Sequence, residues 1–428
     1  MYFSIPDTTE ISARRSNTQH AYTLFNIHIN GIHHCSLRYS ELRKLNDELH
    51  RKFSDSMINI QPFPPKKLFN LSIRETDERR LLLERYLQSI VQNKTLISSS
   101  YLNNFLLNAQ RETILNESIE RNISLKIQFL NQHEILIEKL SPFDNTNTVF
   151  DACIQKIQIE KEYLSYFSLF LYENRNLLRP LFSFESPYLT LIQTKKIFEN
   201  VCIVFKKSYW DLSYDLNLLN NRRLCRLVFI QSKYDIEQIK EFNSNDDIYQ
   251  QLDKFNQENL FKEFILLART LKFYGYILIK DCLINDLIND KPEQCLLAMG
   301  NNEFICYLFN NNEKKEILFK VTRIRCWKVN WTKQDLNIAF EYLIKKDTLK
   351  WIIIHSENAT LISTCLQSMV DEILSIKSGL TSPISTLDVS NDHQINVKNV
   401  LPTRTQSDLI RLNNNNKLFD AYGGDDDL

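Results

Sequence analysis

Arginine, tyrosine and lysine recur near the start of this chain at positions suited to gripping a phosphate. Arg38-Tyr39-Ser40 comes first, then Pro64-Pro65-Lys66-Lys67, then Glu78-Arg79-Arg80 ahead of Leu83-Glu84-Arg85-Tyr86. Arginine's planar fork holds a phosphate through two parallel N–H bonds, whereas lysine brings a mobile point charge. A tyrosine beside them can stack under a polyol ring, and a serine can add a hydrogen bond. An isolated arginine is usually a solvated surface residue. Four such elements in one stretch outweigh that reading.

Charge supports an anionic partner for this stretch. Residues 1–110 carry 14 Lys/Arg against 10 Asp/Glu, while the whole chain of 428 residues balances 52 against 52. The overall neutrality argues against nucleic-acid binding. Six glycines in all leave little room for Gly-rich phosphate loops. The hydrolase, Walker, zincin and kinase signatures are absent, so no enzyme and no cofactor are expected. His33-His34-Cys35 is the one metal-like string. Adjacent strand residues point to opposite faces, so no metal site is expected there. Asp246-Asp247 reads as a solvent-facing pair. The nine cysteines are scattered singly without a C-x-x-C pair, which fits core fillers in a reducing cytosol. MYFSIPDTTE lacks a signal pattern, and no run reaches the roughly 18 apolar residues that span a bilayer. Membrane association is therefore expected to be peripheral.

The elements that must position these residues are legible in outline. Phe25, Ile27 and Ile29 alternate, and Asn30-Gly31 suits a type I′ turn into a strand through Leu37 and Arg38. Leu42, Leu45 and Leu49 recur at helical spacing, Pro62–Pro65 reads as polyproline II, and helices are predicted over 75–92 and 99–115. Strands follow at 124–130 and 135–139, then a helix through Val149, Cys153 and Ile157, then strands at 167–172 and 202–206. Residues 209–276 read as all-helical. Strands return at 277–279, 304–308, 317–327, 336–344 and 349–354. A last helix begins near Ser356 as N-cap and ends before Gly379. Beyond it, Ser/Thr/Asn-rich sequence predicts disorder up to Asp425-Asp426-Asp427-Leu428.

The ordered basic and proline motifs of residues 1–110 resemble the phox-homology (PX) domain. The module order that follows matches the FERM architecture. Specific strings, Tyr166–Leu171, Lys206–Asp211, Glu263-Phe264, Val321–Trp327 and Cys365–Glu372, resemble the PX-FERM sorting nexins over essentially the whole chain. The resemblance implies an α+β multidomain fold: PX over 1–112, a ubiquitin-like F1 lobe over 122–206 and a helical F2 lobe over 207–275. A PTB/PH-like F3 lobe over 276–378 and a disordered tail over 379–428 complete it.

It also implies roles. Arg38 would hold the 3-phosphate of phosphatidylinositol 3-phosphate, with Tyr39 against the ring and Ser40 adding a hydrogen bond. Lys66 would meet the 1-phosphate and Arg79 the ring hydroxyls, while Leu68, Phe69 and Leu71 would dip into the bilayer. In F3, the edge Arg323–Val329 would capture Asn-Pro-x-Tyr or Asn-x-x-Tyr sequences in receptor tails of the lipoprotein-receptor, amyloid-precursor and integrin types. Trp327, Val329, Arg325 and, on the closing helix, Met369 would make the contacts. Asp425, Asp426, Asp427 and Leu428 would dock the Retriever recycling complex. The implied function is a cargo adaptor, peripheral on early and recycling endosomes, with no metal, cofactor or nucleic acid. A signalling scaffold that binds a small GTPase through F1 is the rival. Its expected sign, a basic strand edge over 123–140, amounts only to Lys126 and Lys139.

Overall fold

A computed structural model describes residues 1–379 and Pro383, apart from 16–17, 68–70, 115–120, 244–245, 286–291, 311–312 and 332–334. The first unit is a small antiparallel sheet with helices packed on it. Strands β1 (Phe3–Ser4), β2 (Thr8–Arg15) and β4 (Ile32–Arg38) all pair with the long β3 (Thr18–Ile29). The predicted hairpin turn is there: Asn30 and Gly31 have φ of 49° and 82°, the left-handed pair a type I′ turn needs. Helices α1 (Tyr39–Lys52), α2 (Ser54–Met57), α3 (Ile73–Gln92), α4 (Lys94–Ile97) and α5 (Ser100–Ile114) follow. The alternating face of β3 and β4 (Phe25, Ile27, Ile29, Leu37) is buried against Leu42, Leu45 and Leu49 of α1 and Leu83, Tyr86 and Ile90 of α3.

The second unit is a five-stranded sheet in the order β6-β5-β9-β7-β8. Its elements are β5 (Ile123–Gln128), β6 (Glu134–Leu140), α6 (Thr146–Ile157), β7 (Phe167–Glu173), β8 (Asn176–Pro180), α7 (Pro187–Lys195) and β9 (Val201–Lys207). Four helices come next: α8 (Tyr214–Leu218), α9 (Arg222–Ile239), α10 (Asp246–Gln257) and α11 (Phe261–Ala268). They share one apolar core with the second unit.

The last unit is a seven-stranded antiparallel sheet closed by a helix. It comprises β10 (Ile277–Asn285), β11 (Pro292–Gly300), β12 (Glu303–Asn310), β13 (Glu313–Lys320), β14 (Ile324–Trp331), β15 (Leu336–Lys345), β16 (Thr348–His355) and α12 (Ala359–Lys377). The order is β13-β12-β11-β10-β16-β15-β14, and β10 meets β16 through only Leu283↔His355 and Ile284↔Ile354. The sheet thus folds over on itself around Phe304, Phe340, Ile354 and, from α12, Ile362, Leu366 and Met369.

Several expectations change. The strand predicted over 317–327 is two strands broken by a 3-10 turn at Val321–Arg323. The last helix starts at Ala359 rather than beside Ser356, whose hydroxyl instead accepts from the N–H of Asn358 at 3.1 Å. Gly379 has the expected left-handed φ of 85° past the helix end, and its N–H donates to Ile376 O at 3.0 Å. Strands β1, β2, β8 and β11 and helix α7 were not anticipated. The expected tail, Asp425 to Leu428 included, lies outside the described residues, as do Leu68 and Phe69.

Polar bonds join the units, and the first group of them surrounds an ion pair buried within the second unit. Arg179 and Glu185, both essentially without exposed surface, form a two-pronged fork at 2.6 and 2.7 Å. Beside it, Gln110 of α5 donates to Thr190 at 3.0 Å and accepts from Ser186 N at 2.8 Å. Phe184 enters the core of the first unit. Helix α12 is gripped on two further sides. Asn30 donates to Thr364 at 2.9 Å and Lys94 pairs with Asp371 at 2.8 Å, while Glu372 accepts the N–H groups of Trp210 and Asp211.

Candidate functional site

Two arginines of the first unit each lie over a tyrosine ring, and one of those tyrosines is tied to the proline segment that precedes Lys66. Arg38 ends β4 and caps α1; its backbone N–H donates to Glu41 at 2.6 Å, which fixes where the strand turns into the helix. Its exposed guanidinium lies 3.3 Å from the centre of the Tyr22 ring. Tyr39, next in the chain, donates its hydroxyl to Pro64 O at 2.8 Å and so ties the proline segment to α1. Arg79 of α3 stacks 4.3 Å over the Tyr39 ring and donates to Pro65 O at 3.4 Å. Burial lowers the Arg79 pKa from its ordinary value. Lys66 is exposed and makes no ion pair among the described residues, whereas Lys67 is taken by Glu75 at 2.6 Å. That pair, with bonds from Ser72, holds the Glu75 carboxyl down at about 2. Ser40 is exposed on the first turn of α1. The result is a cationic rim whose aromatic floor, Tyr39 packed on Phe63 and Phe63 on Tyr86, is braced from beneath.

Sequence reading missed Tyr22 and Glu41. The spacing Arg38-x-x-Glu41 was a readable cap signal. Nothing in the sequence pointed to Tyr22, which arrives through the β3–β4 pairing. Beside the rim, Leu71 is half-buried and Ile73, at the start of α3, is 90% exposed.

The second site lies on the last unit. Among the described residues, β14 is an edge strand, paired with β15 alone. An unpaired edge offers a row of backbone donors and acceptors to another extended chain. Trp327 and Val329 stand opposite Phe340 and Ile338 and are half-buried against the core. The Trp327 indole N–H donates to Ser363 of α12 at 3.1 Å, so this ring stands between strand and helix. Arg325 falls where the β14–β15 register shifts, between Ile324 and Cys326, and pairs with Glu341 at 2.5 Å. Met369, expected in the groove wall, is fully buried in the core. Its spacing from Ile362, Leu366 and Ile373 puts it on the core stripe. The helix face that Ser363 begins continues through the half-buried Gln367, Val370 and Leu374, at steps of three or four.

These two sites lie on the first unit and on the last of three further lobes, an arrangement with PX–FERM architecture. Family models match in that order: the PX domain over residues 25–109, the F1 lobe of the sorting nexin 17/27/31 FERM domain over 123–210, and the sorting nexin 17 FERM C-terminal domain over 275–374. Sorting nexin-17 of Danio rerio is 36% identical over 405 residues, covering 89% of this chain and 82% of that protein. Sorting nexin-17 of Homo sapiens is 35% identical over 402 residues, covering 89% and 83%. Sorting nexin-31 of Homo sapiens is 30% identical over 397 residues, covering 87% and 86%. The chain belongs to the sorting nexin 17 family. No helix among the described residues is long and apolar enough to cross a membrane.

Proposed function

We propose that this protein is an endosomal cargo adaptor that binds phosphatidylinositol 3-phosphate through its PX domain and Asn-Pro-x-Tyr or Asn-x-x-Tyr receptor tails through F3. The observation that supports the reading is that Arg79 lies over Tyr39 and that both bond to the proline segment, beside the exposed Arg38 and Lys66 that flank them in the chain. Arg38 grips the 3-phosphate as a fork, Lys66 meets the 1-phosphate, and Arg79, steadied on Tyr39, reaches the ring hydroxyls; Ser40 adds a hydrogen bond. Leu68, Phe69 and Leu71 enter the bilayer beside them, joined by the exposed Ile73. One large apolar side chain so buried contributes roughly 1.5–3 kcal/mol.

On F3 the receptor tail adds as a further strand to β14, and backbone bonds supply affinity while pockets supply choice. Trp327 and Val329 face it, and Ser363, Gln367, Val370 and Leu374 form the opposite wall. Met369 supports that wall from within, and Arg325 acts at the strand's start while held by Glu341. Lipoprotein-receptor, amyloid-precursor and integrin tails are the cargo class. Asp425, Asp426, Asp427 and Leu428 dock the Retriever complex and route cargo back to the cell surface.

Flotation with vesicles containing phosphatidylinositol 3-phosphate tests the lipid half. Arg38→Gln should abolish binding while leaving the thermal midpoint unchanged. Undiminished flotation of this variant overturns the assignment.

A further inference from the structure

The row formed by Trp327 and Val329 does not end there. Trp331 follows at the same two-residue step, opposite Leu336, and it is 47% exposed. A large aromatic left uncovered at the end of an unpaired edge is a hazard that proteins usually remove with charge, proline or a covering loop. The strand end that carries it is also held firmly. On the other face of the sheet, Asn330 donates to Asn337 at 2.8 Å, Asn337 donates to Asp335 at 2.6 Å, and Asp335 meets His355 at 2.8 Å. This polar chain ties β14, β15 and β16 together where an edge strand would ordinarily fray.

We propose that Trp331 is a specificity-determining residue that reads a third side chain of the bound peptide, an apolar one four positions N-terminal to the residue facing Trp327. The inference rests on the peptide-binding reading of F3. A peptide adding antiparallel to β14 runs N-terminally toward Trp331, and its alternate side chains face the Trp327–Val329–Trp331 row. Tryptophan loses little conformational freedom when covered and presents a large apolar surface, as binding anchors do. The partner class is thus an extended peptide whose apolar positions alternate upstream of its asparagine motif. A charged or small residue at the third position would leave Trp331 in water.

Calorimetry with the full chain and Asn-Pro-x-Tyr peptides, each upstream position changed in turn to Ser, tests this. Wild-type protein should show sensitivity at every second position. Trp331→Ala should weaken the parent peptide about tenfold, yet leave the peptide with Ser at the most N-terminal sensitive position unchanged. Trp331→Phe should restore most of the loss, and the thermal midpoint should hold in both variants. If peptides bind and depend on Trp327 but not on Trp331, or if Trp331→Ala weakens every peptide equally, the inference fails and the peptide reading stands. If no peptide binds the wild-type chain, both fail.

Discussion

Arg79 lies 4.3 Å over the ring of Tyr39, and the same tyrosine donates its hydroxyl to Pro64 O at 2.8 Å. One residue therefore sets the height of a cation and the course of the segment that carries Lys66. Tyr39→Phe keeps the ring and loses the bond, so stability should fall by about 1 kcal/mol with lipid affinity changed only about threefold. Tyr39→Leu removes the platform and should weaken lipid binding about tenfold. Vesicle titration and thermal melting separate the two.

Trp327 divides its surface between the core and the open edge. Trp327→Phe loses the bond to Ser363 and should cost about 1 kcal/mol of stability while peptide binding weakens. Trp327→Ala should eliminate peptide binding in calorimetry and leave vesicle binding intact. Global unfolding of the alanine variant would make this ring a core residue only.

The Arg179–Glu185 fork lies within F1 and holds Thr190, through which Gln110 of the PX domain bonds to F1. Burial alone would raise the Glu185 pKa, but the charge and hydrogen bonds of Arg179 more than offset it and leave the carboxyl below its ordinary value. Arg179→Met strands a buried carboxylate and should cost about 3–5 kcal/mol. Faster hydrogen exchange across 179–195 and 103–113 would report it. The pair Arg179→Met with Glu185→Leu should recover most of the loss.

Glu372 gives a pH dependence of known sign. Burial raises its pKa to about 7, against partial relief from the N–H groups of Trp210 and Asp211. The folded chain therefore holds this proton over a range in which the unfolded chain, ionising at 4.5, has released it. Stability from this group is complete below the unfolded value and declines as pH rises toward 7. Glu372→Gln cannot ionise, so its melting temperature relative to wild type should climb between pH 5 and 7 and then level off. A constant difference across that range would contradict the assignment.

How much of this was readable beforehand follows from the range of the interactions. The Asn30-Gly31 hairpin, the Leu42/Leu45/Leu49 stripe and the Gly379 stop are local signals, and each appears as expected. Strand β11 gives no clear strand signal although Cys295–Met299 is apolar, because a buried run without alternation reads equally as helix. The break at Val321–Arg323 lies in an unbroken β-favouring stretch and carries no turn residue. At the proposed sites, the order of basic motifs singles out Arg38, Lys66 and Arg79, whereas Tyr22 and Ser363 reach their partners only through tertiary pairing. Met369 was assigned to the groove although its spacing already placed it on the core stripe. Trp331 was legible as a continuation of the Trp327–Val329 alternation and passed unnoticed.

On the proposed function, one chain grips a lipid phosphate and a receptor tail together. Co-sedimentation of a fluorescent Asn-Pro-x-Tyr peptide with vesicles containing phosphatidylinositol 3-phosphate measures this in one step. The full chain should carry the peptide into the pellet, with Arg38→Gln and Trp327→Ala each leaving it in solution. Peptide that stays in solution while the wild-type chain pellets, or that pellets equally with both variants, would contradict it.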